Sequence, residues 1–336
     1  MDPMQEGEAP LLAWEDPDEH REWISKEKSK ELYDKTSTVR EVVKRYLRDG
    51  DYIAFGGFGH IRIPMALIYE IIRQGKKDLV MACKTAVHDS DLLIASGCVK
   101  KVEVAYAFGH ELRGLSPASR RKAERGEVEV VSEWSNWAFQ LRFKAAAMGL
   151  PWLPTRVMLG SDTLRKSSAK VIEDPYTGKP ICLIPACYPD FVAIHVHRAD
   201  IYGNAQIDGI LVEDFELARA AKRLIITTEK IVDHEEIRRE PWRTSIPYFL
   251  VDAVVEVPYC SHPCNMPYLY YFDEEHISEW LRLSKTDDGV RKYLDKYVYG
   301  VEDFDEYLDL IGGQKKLNYL RKLEELRAPL KAPWAK

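Results

Sequence analysis

A glycine-rich segment at residues 56–60 (GGFGH) could hold an anion. An apolar strand predicted at 52–55 runs into this segment, and Pro64 stands where the first turn of a helix tolerates proline. Such a loop exposes backbone N–H groups next to a helix N-terminus, here with His60 and Arg62 beside them. The pattern is typical of a site for a carboxylate, a thioester oxyanion or a phosphate. It is equally typical of a tight turn in which glycine only avoids a steric clash.

Two well-known glycine loops do not fit this segment. A dinucleotide-binding fingerprint needs a third glycine where Arg62 stands, and it needs an acidic residue at the end of the second strand. That strand instead ends in Ala82, Cys83 and Lys84. A phosphate-binding P-loop needs glycine and lysine followed by serine or threonine, which this segment lacks. We therefore expect neither a dinucleotide nor a nucleoside triphosphate here.

Two other groups of residues are of types that bind metals. His195 and His197 lie on one face of a predicted strand, and Cys260, His262 and Cys264 lie close together further along. Neither group is followed by a second set of ligands at the usual spacing. A metal-dependent barrel hydrolase beginning at the first pair would need about 250 residues, and too few follow. We therefore expect structural residues and no metal.

The elements that must position these residues alternate between strands and helices. Thr38 and Glu41 fit a capping box, and Gly50 ends the helix that follows. Further strands are predicted at 79–82, 102–107, 128–131, 181–184, 191–197, 224–228 and 253–257, with helices between them. Because the early strands are continuous and apolar, they predict an α/β fold with an open, mostly parallel sheet covered by helices on both faces.

The chain divides into three predicted parts. Residues 1–37 are expected to form an N-terminal arm, residues 38–285 the α/β domain, and residues 286–336 a helical C-terminal extension. The extension is too apolar for a solvated surface, so we expect it to pack on the core or on a neighbouring subunit. Its apolar residues at helical spacing are Tyr293, Tyr297, Tyr299, Phe304, Tyr307, Leu308 and Ile311.

Composition excludes several classes of function. The 336 residues are 46% hydrophobic, enough for a full core, and the net charge of −6 gives no basic stripe for nucleic acid. No apolar run reaches the roughly 18 residues that span a bilayer, and the acidic N-terminus does not resemble a secretory signal. Six cysteines do not make a disulfide scaffold in a chain this long. We therefore expect a cytoplasmic protein with reduced thiols that binds neither nucleic acid nor membrane.

Longer motifs connect the glycine segment to a known family. The run DGDYIAFGGF at 49–58, followed by Pro64, resembles the first-subunit motif of class I CoA-transferases. Segments that follow in order resemble the A-type chain of the glutaconate CoA-transferase type, and these are 133–162, 190–210, 220–232 and 255–277. The resemblance covers about residues 38–312. This sequence differs from the family motif at one position, since many relatives carry glycine where Arg62 stands.

The resemblance implies that this chain forms half of an active site. In the family, the acyl-CoA is attacked by a glutamate of a related B-type subunit. That glutamate becomes a glutamyl-CoA thioester, from which a second carboxylic acid takes the CoA. This chain lacks the glutamate triplet of B-type subunits, and Glu133 is interpreted as a strand-end carboxylate near a helix cap. We therefore expect no catalytic residue here, coenzyme A as acyl-CoA substrate, and a dicarboxylate such as glutaconate. The expected partner is a B-type subunit in an α2β2 or α4β4 assembly.

The residues expected to contact substrate lie at carboxyl ends of strands, where open α/β sheets bind ligands. They are Gly56, Gly57, Phe58, Gly59, His60, Arg62, Lys84 and Thr85. With segments 84–89 and 107–113 they would face the partner's glutamate, and His60 or Arg62 would hold a substrate carboxylate. Two alternatives stay open. One is a subunit of a ring-cleaving CoA-ester hydrolase or glutaconyl-type CoA decarboxylase of the same fold, and the other is a CoA-ester-binding subunit without catalysis.

Overall fold

The computed structural model describes residues 3–329 as a succession of strands and helices. The strands are β1 (Gln5–Glu6), β2 (Tyr52–Phe55), β3 (Leu79–Cys83), β4 (Val99–Val104), β5 (Glu129–Glu133), β6 (Trp152–Thr155), β7 (Lys170–Glu173), β8 (Pro180–Pro185), β9 (Phe191–Val196), β10 (Arg198–Ala199), β11 (Ala205–Gln206), β12 (Arg223–Thr228), β13 (Thr244–Ile246) and β14 (Ala253–Glu256). The helices are α1 (Pro17–Glu27), α2 (Val39–Tyr46), α3 (Met65–Arg73), α4 (His88–Ala95), α5 (Pro117–Glu124), α6 (Asn136–Ala147), α7 (Asp162–Arg165), α8 (Asp214–Ala220), α9 (His234–Arg239), α10 (Glu274–Leu283), α11 (Asp287–Leu294), α12 (Phe304–Leu310) and α13 (Gly313–Glu324).

A seven-stranded parallel sheet forms the centre of the molecule. Its strand order is β14-β12-β9-β2-β3-β4-β5, and each adjacent pair is parallel. The chain runs from β2 to β5 toward one side, then returns to the other side of β2 with β9, β12 and β14. The strand order therefore reverses between β2 and β9, and ligands bind at the carboxyl edge of such a switch point. The predicted α/β fold is confirmed.

Two hydrophobic cores cover the two faces of this sheet. In β2, Ile53 and Phe55 belong to one core and Tyr52 and Ala54 to the other, as the alternation of side chains along a strand requires. The first core contains residues of α2, α3, α4 and the C-terminal helices. The second contains residues of α6, α8 and the smaller sheets. The covering of both faces explains why the central strands β2 and β9 are buried along their whole length.

The C-terminal helices pack on the first core. This is one of the two arrangements expected from the sequence, the other being packing on a neighbouring subunit. The hydroxyls of Tyr69 in α3 and Tyr293 in α11 lie 3.1 Å apart, and both side chains are buried with Tyr307. A short π-helix, Asp295–Tyr299, continues α11. Tyr299 is the exception to the predicted packing, because it is 53% exposed.

Two antiparallel sheets surround the central sheet. Strands β1-β7-β8-β6 form one, and β10-β11-β13 form the other. The region 151–179, which the sequence pattern left as a loop, contains β6, α7 and β7, and the strand predicted at 181–184 pairs here rather than in the central sheet. All six cysteines are free and buried. Within residues 3–329, no helix combines the length and apolar character needed to cross a bilayer.

The first part of the chain lies against the rest of the molecule. Strand β1 pairs with β7, and the Lys28 ammonium lies 3.2 Å from the Asp252 carboxylate. The Trp14 indole N–H donates to the carbonyl of Pro151 at 3.2 Å. The division into an arm, a domain and an extension stays a prediction, and the last predicted residues, 330–336, lie outside the described part.

Candidate functional site

The glycine loop after β2 uses its N–H groups to hold its own shape. The N–H of Gly56 donates to the carbonyl of Ala193 in β9, and that of Gly59 donates to the carbonyl of Thr85, both at 2.9 Å. Further N–H groups of the loop donate within the chain in the same way, and these belong to Gly57, Phe58, Ile61 and Arg62. The expected cradle of free N–H donors for an anion is therefore not supported by this geometry.

Two of the three glycines of the loop, Gly56 and Gly57, are required by contacts inside the chain. A Cβ added at Gly57, where φ is +89°, would lie 2.2 Å from the carbonyl oxygen of Ile61. A Cβ at Gly56 would lie 2.5 Å from Asp214 Oδ1, and one at Gly59 would lie 2.2 Å from Glu111 Oε1. The neighbour of Gly57 is backbone, so a side chain there would displace the loop itself, whereas the Glu111 carboxylate beside Gly59 ends a flexible, half-exposed side chain that can move aside. These contacts favour the interpretation of the segment as a tight turn.

Arg62 is buried in an ion pair and does not face the cleft. Its Nη1 and Nη2 donate to Asp214 Oδ1 and Oδ2 at 3.1 and 2.6 Å, and Nη2 also donates to the Ile210 carbonyl at 3.1 Å. Burial alone would raise the pKa of Asp214, but Arg62 and the N–H of Gly57 outweigh it and lower that pKa. The expectation that Arg62 binds a substrate carboxylate is corrected here, because both the guanidinium and its partner are withdrawn from solvent.

Lys84 is held by the residue next to Asp214. Its ammonium lies 2.7 Å from Glu213 Oε2, and both side chains are 2% exposed. Burial and the adjacent carboxylate of Asp214 raise the pKa of Glu213 to about 8, although Lys84 opposes that rise. Glu213 and Asp214, which we call the acidic pair, therefore bind cations from the loops after β3 and β2 respectively.

Thr85 and Phe58 complete this part of the sheet edge. Thr85 has φ of +55°, a strained conformation for a β-branched residue, and its Oγ1 accepts a 2.6 Å hydrogen bond from Asn136 Nδ2. Phe58 is half-buried, and its ring centre lies 5.4 Å from Lys84 Nζ. Lys84, Thr85 and Glu213 line a narrow cavity with two of the glycines. Much of the predicted set thus comes together at one place.

His60 lies in a cluster with two histidines from the next two loops. His60, His88 and His110 are completely buried, and they follow β2, β3 and β4 in that order. His60 Nε2 lies 3.2 Å from His110 Nδ1. His60 is therefore enclosed by the chain and bonded to Glu111 and His110, which is contrary to the expectation that it is free to hold a substrate carboxylate.

A second cleft, of about 500 Å³, opens at the carboxyl ends of β9 and β12. At its base, Glu229 lies 2.8 Å from His195 Nε2 and accepts hydrogen bonds from the Tyr270 hydroxyl and the Tyr259 N–H at 2.6 and 2.8 Å. Burial opposes protonation of His195, but Cys260 and Glu229 outweigh it and raise the pKa of His195 to about 10. The other lining residues include the exposed cations Lys230 and Arg321.

The other residues of metal-ligand type make contacts typical of structural residues. His197 Nε2 lies 2.9 Å from the Pro267 carbonyl, and His262 Nε2 lies 3.0 Å from Asp273 Oδ2. Cys260 and Cys264 form no disulfide bond. These contacts agree with the structural interpretation of both groups.

Glu133 already forms an ion pair. Of the carboxylates in this chain, Glu133 has the neighbouring sequence that comes nearest to the motif around the family's nucleophilic glutamate. Its Oε1 lies 2.8 Å from Lys166 Nζ at the end of β5. Ser135 begins α6 as a cap, since its Oγ accepts a 3.1 Å hydrogen bond from the Ala138 N–H. The side chain thus occupies the strand-end position that the sequence interpretation gave it.

Sequence reasoning missed the residues that hold the candidate site together. His88 and His110 lie inside the segments 84–89 and 107–113 that were expected to line the cleft, so their type and position could have singled them out. Glu213 and Asp214 carried no such signal, because acidic residues at the start of a helix usually just complement its dipole. Their partners, Arg62 and Lys84, lie far away along the chain.

Comparison with known proteins places this architecture in a family. The model of the coenzyme A transferase family (CoA_trans) matches residues 36–257, which is more than half of the chain. The chain therefore belongs to the coenzyme A transferase family of enzymes. The resemblance to the A-type chains of class I CoA-transferases, recognised from the sequence motifs, is confirmed.

Similar proteins include enzymes of more than one named activity. The A-type chain of glutaconate CoA-transferase from Acidaminococcus fermentans is 33% identical over 84% of this chain and 94% of its own length. The crystal structure of glutaconate coenzyme A-transferase from that organism matches with a TM-score of 0.81 and 32% identity, covering 85% of this chain and 95% of its own. The structure of the decarboxylase AibA/AibB matches with a TM-score of 0.69 and 30% identity, covering 77% of this chain and 97% of its own.

Proposed function

We propose that this chain is the A-type subunit of a heteromeric CoA-transferase that moves CoA between an acyl-CoA and a small carboxylic acid. The acid is a dicarboxylate such as glutaconate, which is the substrate that the name of one similar enzyme carries. The nucleophile is a glutamate of a B-type partner subunit, on which the glutamyl-CoA thioester forms. The loops after β2 and β3 form the wall opposite that glutamate.

The observation that carries this proposal is the bonding state of the carboxylates at the sheet edge. A nucleophilic carboxylate must reach the thioester carbonyl unhindered, whereas six carboxylates of the loops and helices at this edge are each bonded within the chain. They are Asp91, Glu111, Glu133, Glu213, Asp214 and Glu229. The edge is therefore built like a binding surface whose reactive group is supplied from another chain.

Exposed apolar side chains near this edge support the presence of a partner. Leu112 and Leu115, in the segment after β4, are 76% and 61% exposed, and Ile210, just before α8, is 64% exposed. Ile210 is adjacent to the site, since its carbonyl binds Arg62. Large apolar side chains grouped near a functional edge are typical of protein interfaces. We assign them to the surface that receives the B-type subunit.

The cleft at the ends of β9 and β12 supports an acyl-CoA substrate. Its volume of about 500 Å³ is in the range of ligand-binding clefts. The exposed ammonium of Lys230 and guanidinium of Arg321 belong to its lining, where they would attract the phosphates of CoA. In this proposal the acyl group extends from this cleft toward the switch point between β2 and β9.

An exchange assay tests the proposal. The chain is combined with a B-type subunit, and both this complex and the chain alone are incubated with acetyl-CoA and a panel of dicarboxylic and monocarboxylic acids. We expect new acyl-CoA only with the complex and only with dicarboxylic acids of the proposed class. Robust turnover by the isolated chain would contradict the missing nucleophile.

The same assay separates the alternative that the decarboxylase relative favours. That similar structure is of an enzyme named for loss of a carboxyl group rather than CoA transfer. Release of free CoA without acceptor would indicate a hydrolase, and release of carbon dioxide from a glutaconyl-type CoA would indicate a decarboxylase. Binding of acyl-CoA by the complex without any product would indicate a non-catalytic binding subunit.

A further inference from the structure

We propose that His60, His88 and His110 form a binding site for a divalent transition-metal ion such as Zn²⁺. Within residues 3–329, their ring nitrogens make up a group in which one ligand atom of each lies within 4.8 Å of the other two. All three side chains are completely buried. This departs from the sequence-based expectation of no metal, which considered only His195, His197 and the Cys260 segment.

The spacing of two ligand atoms already suits a metal ion. His60 Nε2 and His110 Nδ1 lie 3.2 Å apart. Two nitrogens bound to one tetrahedral Zn²⁺ at 2.0–2.1 Å are about 3.3 Å apart. An ion between these atoms therefore needs no large movement of either ring.

The opposite nitrogen of each of these rings has a carboxylate partner. His60 Nδ1 lies 3.2 Å from Glu111 Oε2, and His110 Nε2 lies 3.1 Å from Asp91 Oδ2. Asp91 is itself fixed by Trp280, whose indole N–H donates to Oδ2 at 2.7 Å. Metal-bound histidines are usually oriented in this way by a carboxylate on the far nitrogen. The two carboxylates would also balance the charge of a divalent ion.

His88 provides independent evidence for a ligand. Both of its ring nitrogens are buried and lack a hydrogen-bond partner. Its ring centre lies 6.2 Å from that of His60 and 5.7 Å from that of His110. Buried polar atoms in native proteins are nearly always bonded, so an unbonded imidazole facing two others needs a partner. A metal ion on one of its nitrogens supplies that partner.

A metal here would connect the three loops that carry the candidate site. His60 follows β2, His88 begins α4 after β3, and His110 lies in the segment after β4. The same loops include Phe58, Lys84 and Thr85. Three histidine ligands leave a fourth position for water or another ligand. The ion would thus fix the distances between the three loops that follow β2, β3 and β4.

Cobalt binding to the full-length chain in complex with its partner tests the proposal. After chelator treatment and dialysis, the complex is titrated with Co²⁺, and visible absorption of four-coordinate Co²⁺ is recorded. We expect one Co²⁺ per chain, displacement by Zn²⁺, and a higher melting temperature of the metal-loaded protein. The same titration follows for His88→Gln, for Glu111→Gln and for the control His234→Gln, whose histidine lies outside the cluster and is 33% exposed.

The variants decide the assignment of the site. His88→Gln should lose the tetrahedral Co²⁺ spectrum, Glu111→Gln should bind about 10- to 100-fold more weakly, and His234→Gln should match the parent. Absence of Co²⁺ binding by the parent would overturn the proposal. Equal binding by the parent and both cluster variants would overturn it too, since the metal would then lie elsewhere. Because Glu111 is half-exposed, its variant decides the matter if His88→Gln does not fold.

Discussion

Arg62 and Asp214 form a two-point ion pair with side chains 1% and 0% exposed, beneath the loop after β2. Such a pair contributes little net stability when intact, because both charges lose their hydration. Loss of one partner is different, since it leaves the other as an uncompensated buried charge. The pair therefore links the loop after β2 to the start of α8.

Arg62→Met should lower the free energy of unfolding by about 3–5 kcal/mol, because Asp214 would stay buried without its cation. Urea unfolding of the purified protein measures this change. The control is Lys292→Met, whose ion pair with Asp288 is 69% and 67% exposed and should contribute at most about 1 kcal/mol. A specific loss of dicarboxylic acceptors in Arg62→Lys, with stability intact, would contradict this role.

Glu213 predicts a pH dependence of stability in the opposite direction to that of most carboxylates. Its pKa rises from 4.5 to about 8 on folding, chiefly because of burial and then the adjacent Asp214, against the effect of Lys84. Between these pH values the folded state holds a proton that the unfolded state has released. The contribution of Glu213 to stability should therefore fall as pH rises, by at most about 1.4 kcal/mol per pH unit, and level off above the folded pKa.

Glu213→Gln tests this dependence, because the amide stays neutral at every pH in the interval. Unfolding midpoints measured across the interval should decline less steeply for the variant than for the parent protein. Parallel pH profiles of the two proteins would show that Glu213 is ionised in the folded state and would contradict the assignment.

The sequence could predict which loops come together at the candidate site, but not how their side chains pair. Gly56, Gly57, Lys84 and Thr85 follow apolar strands, and the parallel arrangement brings such positions to one edge. The partner of Lys84 is set by where α8 docks on the sheet, and this depends on tertiary packing rather than on local pattern. For the same reason, the burial of Arg62 could not be anticipated from its place beside a glycine loop.

Among the elements, strands formed by long apolar runs could be predicted from the sequence, whereas the short strands of the antiparallel sheets could not. The run that became β9 and the capping box before α2 are local signals, and both predict elements that the structure contains. Strands β6 and β7 pair with β8, and β7 also pairs with β1 from the other end of the chain. Their stability comes from neighbours distant in sequence, so residues 151–179 resembled a loop.

The loop after β2 provides a matched test of backbone strain. Gly57 and Gly75 both have positive φ, +89° and +63°, but only at Gly57 would a Cβ meet another atom, the Ile61 carbonyl oxygen at 2.2 Å. Gly75→Ala should therefore cost about 1–2 kcal/mol from backbone conformation alone, and Gly57→Ala clearly more. Thermal unfolding of the two variants measures the difference. Equal destabilisation would show that the loop relaxes freely and is not held by its internal contacts.

At the scale of the whole molecule, the exposed apolar residues near the sheet edge should contact the B-type subunit. Ile210→Asp places a charge in that surface and should weaken association at least about tenfold. The control is Tyr176→Asp in the turn between β7 and β8, where the side chain is 95% exposed. Isothermal titration calorimetry of the two chains compares the variants. Unchanged affinity for Ile210→Asp would place the partner on another surface.

In the proposed complex, this chain supplies the binding wall and its partner supplies the nucleophile. The most direct measurement treats the complex with acyl-CoA and then with borohydride, which reduces a glutamyl thioester, and locates the modified residue by mass spectrometry of both chains. We expect unmodified carboxylates in this chain and a modified glutamate in the B-type subunit. A reduced residue at Glu133, or at any other carboxylate of this chain, would contradict it.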